Sequence, residues 1–357
     1  MIHDQSIRAA TVELAHFAAL ILPDRPRLAP WLVAVELGDS RLQLRSGETA
    51  HTLAHPLLIQ IFRRIQNALD GHHTVDEVVA LAGSDVLPTT VAFLLKLLHG
   101  NGLLQPGAGE TKLEEAERAR WQSQLRFLDH FVQDAAGAHA MLTRARVGLV
   151  GSASLRRLVS AALGTIGVGG ISEIDDPRAW RPESRDRHDR LGQLDLLVAC
   201  EDSPSLSLFE AVNRACLHSG TRWICVSVSG KAARLGPTIV PHQTACHTCL
   251  DLRLRTHQSD LEGYAAYRLH VDAPNGVIDE GSVAPFGQLV AAQAALEVMR
   301  LLTGFHPPVT LGRFYEFSAL SPAATSHEVF RVPRCPSCGR RQTMAQAWDR
   351  EPANIKA

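Results

Sequence analysis

Apolar and polar residues alternate over residues 31–36 and again over 41–44, with Gly38-Asp39-Ser40 between the two runs. A period of two on either side of a glycine-bearing turn predicts a hairpin of half-buried strands, and residues 48–53 predict a third strand. The period then changes to that of a helix, with Leu57, Leu58, Ile61, Ile65 and Leu69 recurring through residues 56–69. Thr74 with Glu77 three residues on is a capping box that starts a second helix. Pro88 opens a third over residues 89–98, which ends at His99-Gly100-Asn101-Gly102. Three strands followed by three short helices give residues 25–104 a winged-helix-like outline. Pro106 and two glycines make residues 105–111 a linker.

Residues 112–141 are first charged and then amphipathic, and read as helix. A short strand at 146–150 runs into Gly151, and a helix continues through Leu163. An apolar run at 171–174, a buried strand at 194–199, a helix over 205–219 and a strand over 221–228 extend the alternation. Strands alternating with helices predict a largely parallel sheet with right-handed crossovers. A long alanine-rich helix covers 286–302, and a late strand covers 312–317. Residues 257–281 show no period and are expected to be a long surface loop. The expected division is a helical extension over 1–24, a small α+β domain over 25–105, a linker and helical region over 106–145, an α/β domain over 146–345 and a flexible tail over 346–357.

Two cysteine pairs add chemistry to this outline: Cys246-His247-Thr248-Cys249 and Cys335-Pro336-Ser337-Cys338. The C-x-x-C spacing lets one turn of backbone offer two sulfurs to one metal, and two such pairs complete a tetrahedral Zn²⁺ shell. A closed four-sulfur shell leaves no position open for catalysis. One structural zinc per chain is therefore expected, clamping a mid-chain loop to the C-terminal region across 85 intervening residues. Two disulfides are disfavoured without a secretory segment, and a single redox pair would leave the second pair unexplained. His242 and His247 flank the zinc loop, but four thiolates leave them supporting or solvent-facing roles. Cys200, Cys216 and Cys225 lie in apolar runs and read as buried reduced thiols.

The chain has 357 residues, 45% hydrophobic and 20% charged, with a formal net charge of −1. That balance suits a soluble protein and points to neither a nucleic-acid nor a membrane partner. The apolar stretch at 17–22 is too short to span a bilayer and lacks the flanks of a signal peptide, so a cytoplasmic location is expected. A winged-helix outline raises DNA binding, but the 89–98 helix offers only Lys96 as a base.

The second half, about residues 146–340, resembles the E1-like (ThiF/MoeB-type) adenylating fold. The matching features are Leu149-Val150-Gly151, Gly167-Val168-Gly169 leading to Asp175, the run from Asp195 to Asp202, Asn213, the first cysteine pair, the 286–302 helix and the closing Cys-Pro-Ser-Cys-Gly. The N-terminal module resembles the RiPP recognition element, a PqqD-like peptide-binding fold, through Leu28-Ala29-Pro30 and the run from Gly71 to Glu77. The two modules in this order resemble leader-peptide-binding proteins of thiazole/oxazole-modified microcin (TOMM) pathways. The fold class implied is an E1-like Rossmann-type α/β sheet with a zinc site, preceded by a winged-helix-like peptide-binding domain.

The departures bear on activity. An adenylating enzyme of this type needs a glycine-rich turn where backbone amides meet phosphates. This chain has Ala153, Ser154 and Arg156 where the family has glycines. It has four lysines, Lys96, Lys112, Lys231 and Lys356, none where the family places the one that neutralises the triphosphate. Gly151, Asp175 and Asp202 then read as a vestigial nucleotide site, with ATP not expected as a cofactor and no catalytic residue assigned.

The resemblance implies a non-catalytic docking protein that brings a ribosomal precursor peptide to a YcaO-type cyclodehydratase for azoline formation, and a homodimer. The alternative is an E1-like enzyme that still adenylates a peptide. The leader would add a strand beside Ala50, His51, Thr52 and Leu53 and pack against Thr90, Phe93, Leu94 and Leu97. Against this stands the plain alternative that the three apolar helix residues form the module's own core.

Overall fold

The computed structural model describes residues 3–6, 20–38, 40–47, 49–107, 111–180, 185–203, 206–273 and 280–339. The chain divides into two compact units, residues 1–140 and 141–357.

In the first unit, β1 (His3–Ser6) and β2 (Pro26–Leu28) precede the strands β3 (Val33–Glu36), β4 (Leu42–Arg45) and β5 (Thr49–Leu53). The last three form the antiparallel meander that the alternation predicts. Leu42, Leu44 and Leu53 point to one face because side chains alternate along a strand, and that face is buried. Helices α1 (Pro56–Ile65), α2 (Val75–Leu81) and α3 (Pro88–Gly100) cover it, with Ile61, Phe62, Ile65, Val91, Leu94 and Leu98 filling the core. The capping box forms as the sequence predicts: Thr74 accepts from the Glu77 amide at 3.3 Å, and the Glu77 carboxylate accepts from the Thr74 amide at 2.7 Å. Strand β6 (Leu104–Pro106) returns antiparallel to β2, so part of the expected linker is sheet. Helices α4 (Glu115–Arg120), α5 (Gln122–Asp129) and α6 (Ala135–Arg144) follow.

β1 corrects one expectation. Residues 3–6 of the supposed helical extension are a strand, paired in parallel with β5 in a sheet of order β1-β5-β4-β3. Residues 7–19 and the tail over 346–357 lie outside the described residues.

The second unit is built on a seven-stranded sheet. Its elements are β7 (Arg146–Gly151), α7 (Ala153–Thr165), β8 (Gly170–Glu173), α8 (Arg185–Gly192), β9 (Leu196–Glu201), α9 (Ser207–Ser219), β10 (Trp223–Ser229), β11 (Ala232–Ile239), α10 (His247–Thr256), α11 (Leu261–Val271), α12 (Ala284–Thr303), β12 (Arg313–Ser318) and β13 (Ser321–Glu328). The order is β13-β12-β11-β10-β9-β7-β8. β8, β7, β9 and β10 are parallel, as predicted; β11, β12 and β13 extend the sheet antiparallel, which the alternation did not signal. The central strands β7 and β9 read as unbroken apolar runs because both faces are covered. Residues 257–281, expected to be a loop, hold α11. Asp260 caps it by accepting from the Gly263 amide at 2.9 Å, and nearly every side chain on it is exposed, so no apolar period marks it.

Candidate metal centre and nucleotide turn

Cys246 ends the loop after β11 and is the N-cap residue of α10, so the first helical turn carries Cys249 back beside it. The second pair follows β13, and its turn closes through the Gly339 amide, which donates to the Cys335 carbonyl at 2.8 Å. All four sulfurs are buried and lie within 4.8 Å of one another. The separations are 3.8 Å for Cys246–Cys249, 3.7 Å for Cys246–Cys335 and 3.5 Å for Cys249–Cys338. Four sulfurs at about 2.3 Å from a tetrahedral Zn²⁺ stand about 3.8 Å apart, whereas a disulfide brings them to about 2.05 Å. The separations fit a metal shell and not two disulfides. No other cluster of metal-ligating residues occurs among the described residues.

The surroundings hold that shape. Asn213 on α9, fully buried, accepts from the His247 amide at 3.1 Å and donates to Thr248 Oγ1 at 3.2 Å. Thr248 Oγ1 in turn meets Ser337 Oγ at 2.7 Å, which ties the two cysteine turns together. The Val332 amide donates to Cys249 Sγ at 3.3 Å. Burial pushes the Cys246 and Cys249 thiols up, whereas at Cys335 burial is outweighed by hydrogen bonds from the Cys338 and Ser337 amides and the thiol lies below its ordinary value. Sequence reasoning kept His247 out of the shell, and it packs between Phe209 and Trp223 at ring distances of 5.5 and 6.2 Å. Burial pulls its pKa down to about 4, so it is neutral at pH 7. His242 turns away, its Nε2 lying 3.2 Å from the Leu217 carbonyl.

Gly151, Asp175 and Asp202 follow the carboxyl ends of three adjacent strands, β7, β8 and β9, where open α/β sheets place ligands. Both aspartates are exposed. Gly151 is required by packing alone: φ is +109°, and an added Cβ would stand 1.9 Å from the Cys200 carbonyl oxygen. The turn beyond it is filled by the chain's own side chains. Ser152 Oγ donates to Glu201 Oε1 at 2.8 Å and accepts from the Asp202 amide at 3.2 Å. Ser154 Oγ donates to Asp202 Oδ2. Arg156 donates to the Gly151 carbonyl and to Glu173 Oε2, both at 3.0 Å. Burial raises the pKa of Glu201 against hydrogen bonds from Ser152 and Ser203. Arg178, a further basic residue in this region, is paired with Asp176 at 2.6 Å. Sequence reasoning singled out Ser154 and Arg156 but missed Ser152, Glu201 and Arg178, whose roles depend on contacts up to 50 residues away.

The proposed peptide residues divide by burial. Leu94 and Leu97 are 0% and 2% exposed, and Ala50 and Leu53 are buried as well, so these four belong to the module's interior. His51 is buried too, while Thr52, Thr90 and Phe93 reach partly to solvent. The short α3 helix must bury one face in its own core, which is the plainer reading of its leucines.

Residues 177–339 match the ThiF family model. The chain is 30% identical to protein HesA of Leptolyngbya boryana over 144 residues, which make up 38% of this chain and 42% of that protein. Its fold is similar to that of the heterocyclase TruD, with a TM-score of 0.63 at 20% identity, over 89% of this chain and 43% of that one. The chain thus spans less than half the length of either. MccB of E. coli, solved with ATP, matches with a TM-score of 0.60 at 16% identity, over 88% of this chain and 99% of MccB. None of the described helices is long and apolar enough to cross a membrane. Residues 177–339 thus match the ThiF family model, in a chain whose fold is similar to those of TruD and MccB.

Proposed function

We propose that this chain is a non-catalytic docking protein of a TOMM-type pathway: its N-terminal module, a PqqD-like recognition element, takes the leader of a ribosomal precursor, and the E1-like unit supports a YcaO-type cyclodehydratase. The observation that carries the reading is the filled nucleotide turn. Amides that would face phosphate lie beside Ser152, Ser154 and Arg156, whose polar groups are spent on Glu201, Asp202, Gly151 and Glu173. A triphosphate would bring its negative charge against the Asp202 carboxylate without a lysine to balance it. Structures of related fold support a peptide partner, since MccB has been solved with MccA and a heterocyclase with substrate. Docking of this kind raises the local concentration of the core peptide at the partner's active site, so modest leader affinity suffices. The cysteine cluster holds one structural Zn²⁺, Cys246, Cys249, Cys335 and Cys338 being its ligands, and the protein works in the cytoplasm as a homodimer.

The alternative, a peptide-adenylating enzyme, is favoured by one observation. MccB, solved with ATP, matches over nearly its whole length, and Asp175 and Asp202 stand exposed at the carboxyl end of the sheet, where open α/β sheets place ligands. Calorimetric titration of zinc-loaded protein with Mg-ATP separates the two. Docking predicts no heat from folded protein holding one zinc per chain; saturable binding overturns it and makes Asp175 and Asp202 the residues to substitute.

A further inference from the structure

The β5 edge named for the leader peptide already has an occupant. His3, Asp4, Gln5 and Ser6 pair in parallel with Thr49, Ala50, His51 and Thr52, the same backbone the leader would use. The sheet order β1-β5-β4-β3 leaves no vacant hydrogen-bonding side on β5. We infer that the chain's own residues 3–6 are an intramolecular occupant of the peptide-binding edge, which an incoming extended peptide must displace. The inference rests on the reading of β5 as the leader edge, and it adds a regulation of that edge.

Three features make β1 replaceable rather than a permanent part of the sheet. It is only four residues long and pairs in parallel, which is slightly weaker per residue than an antiparallel pair. Its sequence, His-Asp-Gln-Ser, has no apolar or β-branched residue, and aspartate is a poor strand former. Its pairing is therefore main-chain pairing, which any extended peptide supplies equally. A competitor that carries apolar residues can add burial to main-chain pairing, a gain the polar sequence His-Asp-Gln-Ser has little means to match.

What β1 does have is its tether. It is joined to the described chain at Leu20 through residues 7–19, and a tether of this length sets an effective concentration on the order of 1 mM. If the edge is free for roughly 1–10% of the time, an incoming peptide binds about 10–100-fold more weakly than to an open edge. Weak or non-cognate peptides are thereby rejected, while a leader with apolar anchors still enters. The competing explanation is simple edge protection, in which a covering strand blocks aggregation and never leaves.

A fluorescent peptide with the chain's own first ten residues, MIHDQSIRAA, decides between them without any precursor. It is titrated into three proteins: the native chain, a chain lacking residues 1–6, and full-length Gln5→Pro, in which proline in the middle of the strand disfavours pairing. The shortened chain and Gln5→Pro are expected to bind it with a Kd of about 0.01–0.1 mM, and the native chain at least tenfold more weakly. Hydrogen exchange should show the outward amides of residues 49–53 protected in the native chain and exposed in both variants, with unchanged melting temperatures. Equal binding by all three proteins, or no binding by either variant while both stay folded, overturns self-occupancy. Loss of folding in both variants also overturns it, since β1 would then be a structural strand. If the labelled segment binds the variants but an added precursor peptide from a neighbouring gene does not displace it, self-pairing stands and the leader reading of this edge fails.

Discussion

The cysteine cluster and the turn after β7 sit in one domain and have met opposite fates. At the cluster every ligand is in place, and the neighbours serve it: Asn213 fixes the first cysteine turn and the Thr248–Ser337 contact joins it to the second. At the turn the glycine that the close approach of β7 and β9 needs is present, and the side chains beyond it are partners for one another. A structural metal contributes to folding whatever the domain does, so its ligands are kept by stability alone. A phosphate cradle contributes nothing to folding when empty, and side chains that fill it add hydrogen bonds. The difference separates what the fold needs from what catalysis would need.

The largest expected effect is at the cluster. Structural zinc in small domains supplies about 10–16 kcal/mol of apparent binding free energy, comparable to or above the ~5–15 kcal/mol stability of a whole domain. Cys335→Ser with Cys338→Ser should therefore abolish zinc retention and leave the second unit unfolded or aggregated, read by elemental analysis and a thermal melt. A variant that lost zinc and kept its melting temperature would show that the cluster is not a clamp.

Gly151→Ala tests the other half of the comparison. Its Cβ meets the Cys200 carbonyl oxygen at 1.9 Å and its φ of +109° is strained for any side chain, so β7 must shift from β9. A loss of about 3–5 kcal/mol by urea unfolding is expected. A loss under ~1 kcal/mol would mean that packing does not explain this glycine, and phosphate binding would return as the reason for it.

The two sites differed in how far the sequence disclosed them. Metal ligands obey local spacing, so both cysteine turns were visible, as were the capping box at Thr74 and the hairpin around Gly38, where the signal lies within a few residues. Gly151, Asp175 and Asp202 were recognisable as strand ends, and the structure brings them to one edge of the sheet. What stayed hidden depends on distant partners. β1 carries no apolar signal and pairs with residues more than 40 positions away. α11 is exposed nearly all round and so has no period to read. Leu94 and Leu97 were offered both as groove and as core, and only their burial assigns them to the interior. Ser152 and Glu201 are ordinary residues until β7 and β9 lie side by side.

Arg156 sharpens the comparison at smaller cost. Arg156→Ala releases the Gly151 carbonyl and Glu173, a partly exposed pair, and should cost about 1 kcal/mol. If the turn is filled for stability, the variant melts slightly earlier and still gives no heat with Mg-ATP. If Arg156 alone blocks a working cradle, nucleotide binding appears, and the docking reading of this turn fails.

The smallest effect is the most specific to the filled turn. Glu201 is buried between Ser152 and Ser203, and burial raises its pKa above the ordinary 4.5. The folded protein thus holds this proton more tightly than the unfolded chain does. The stability it contributes is fully present below about 4.5 and is lost as pH rises through the raised value. Glu201→Gln keeps an acceptor for the Ser152 hydroxyl but cannot ionise. It should melt within ~1 kcal/mol of the native protein at low pH and equal or exceed it at neutral pH, removing that part of the pH dependence. A variant less stable at neutral pH than at pH 4, relative to native, would mean that the charge on Glu201 is stabilised by a partner. A cation held at the turn is such a partner, and the site would then be one that binds rather than one that has been closed.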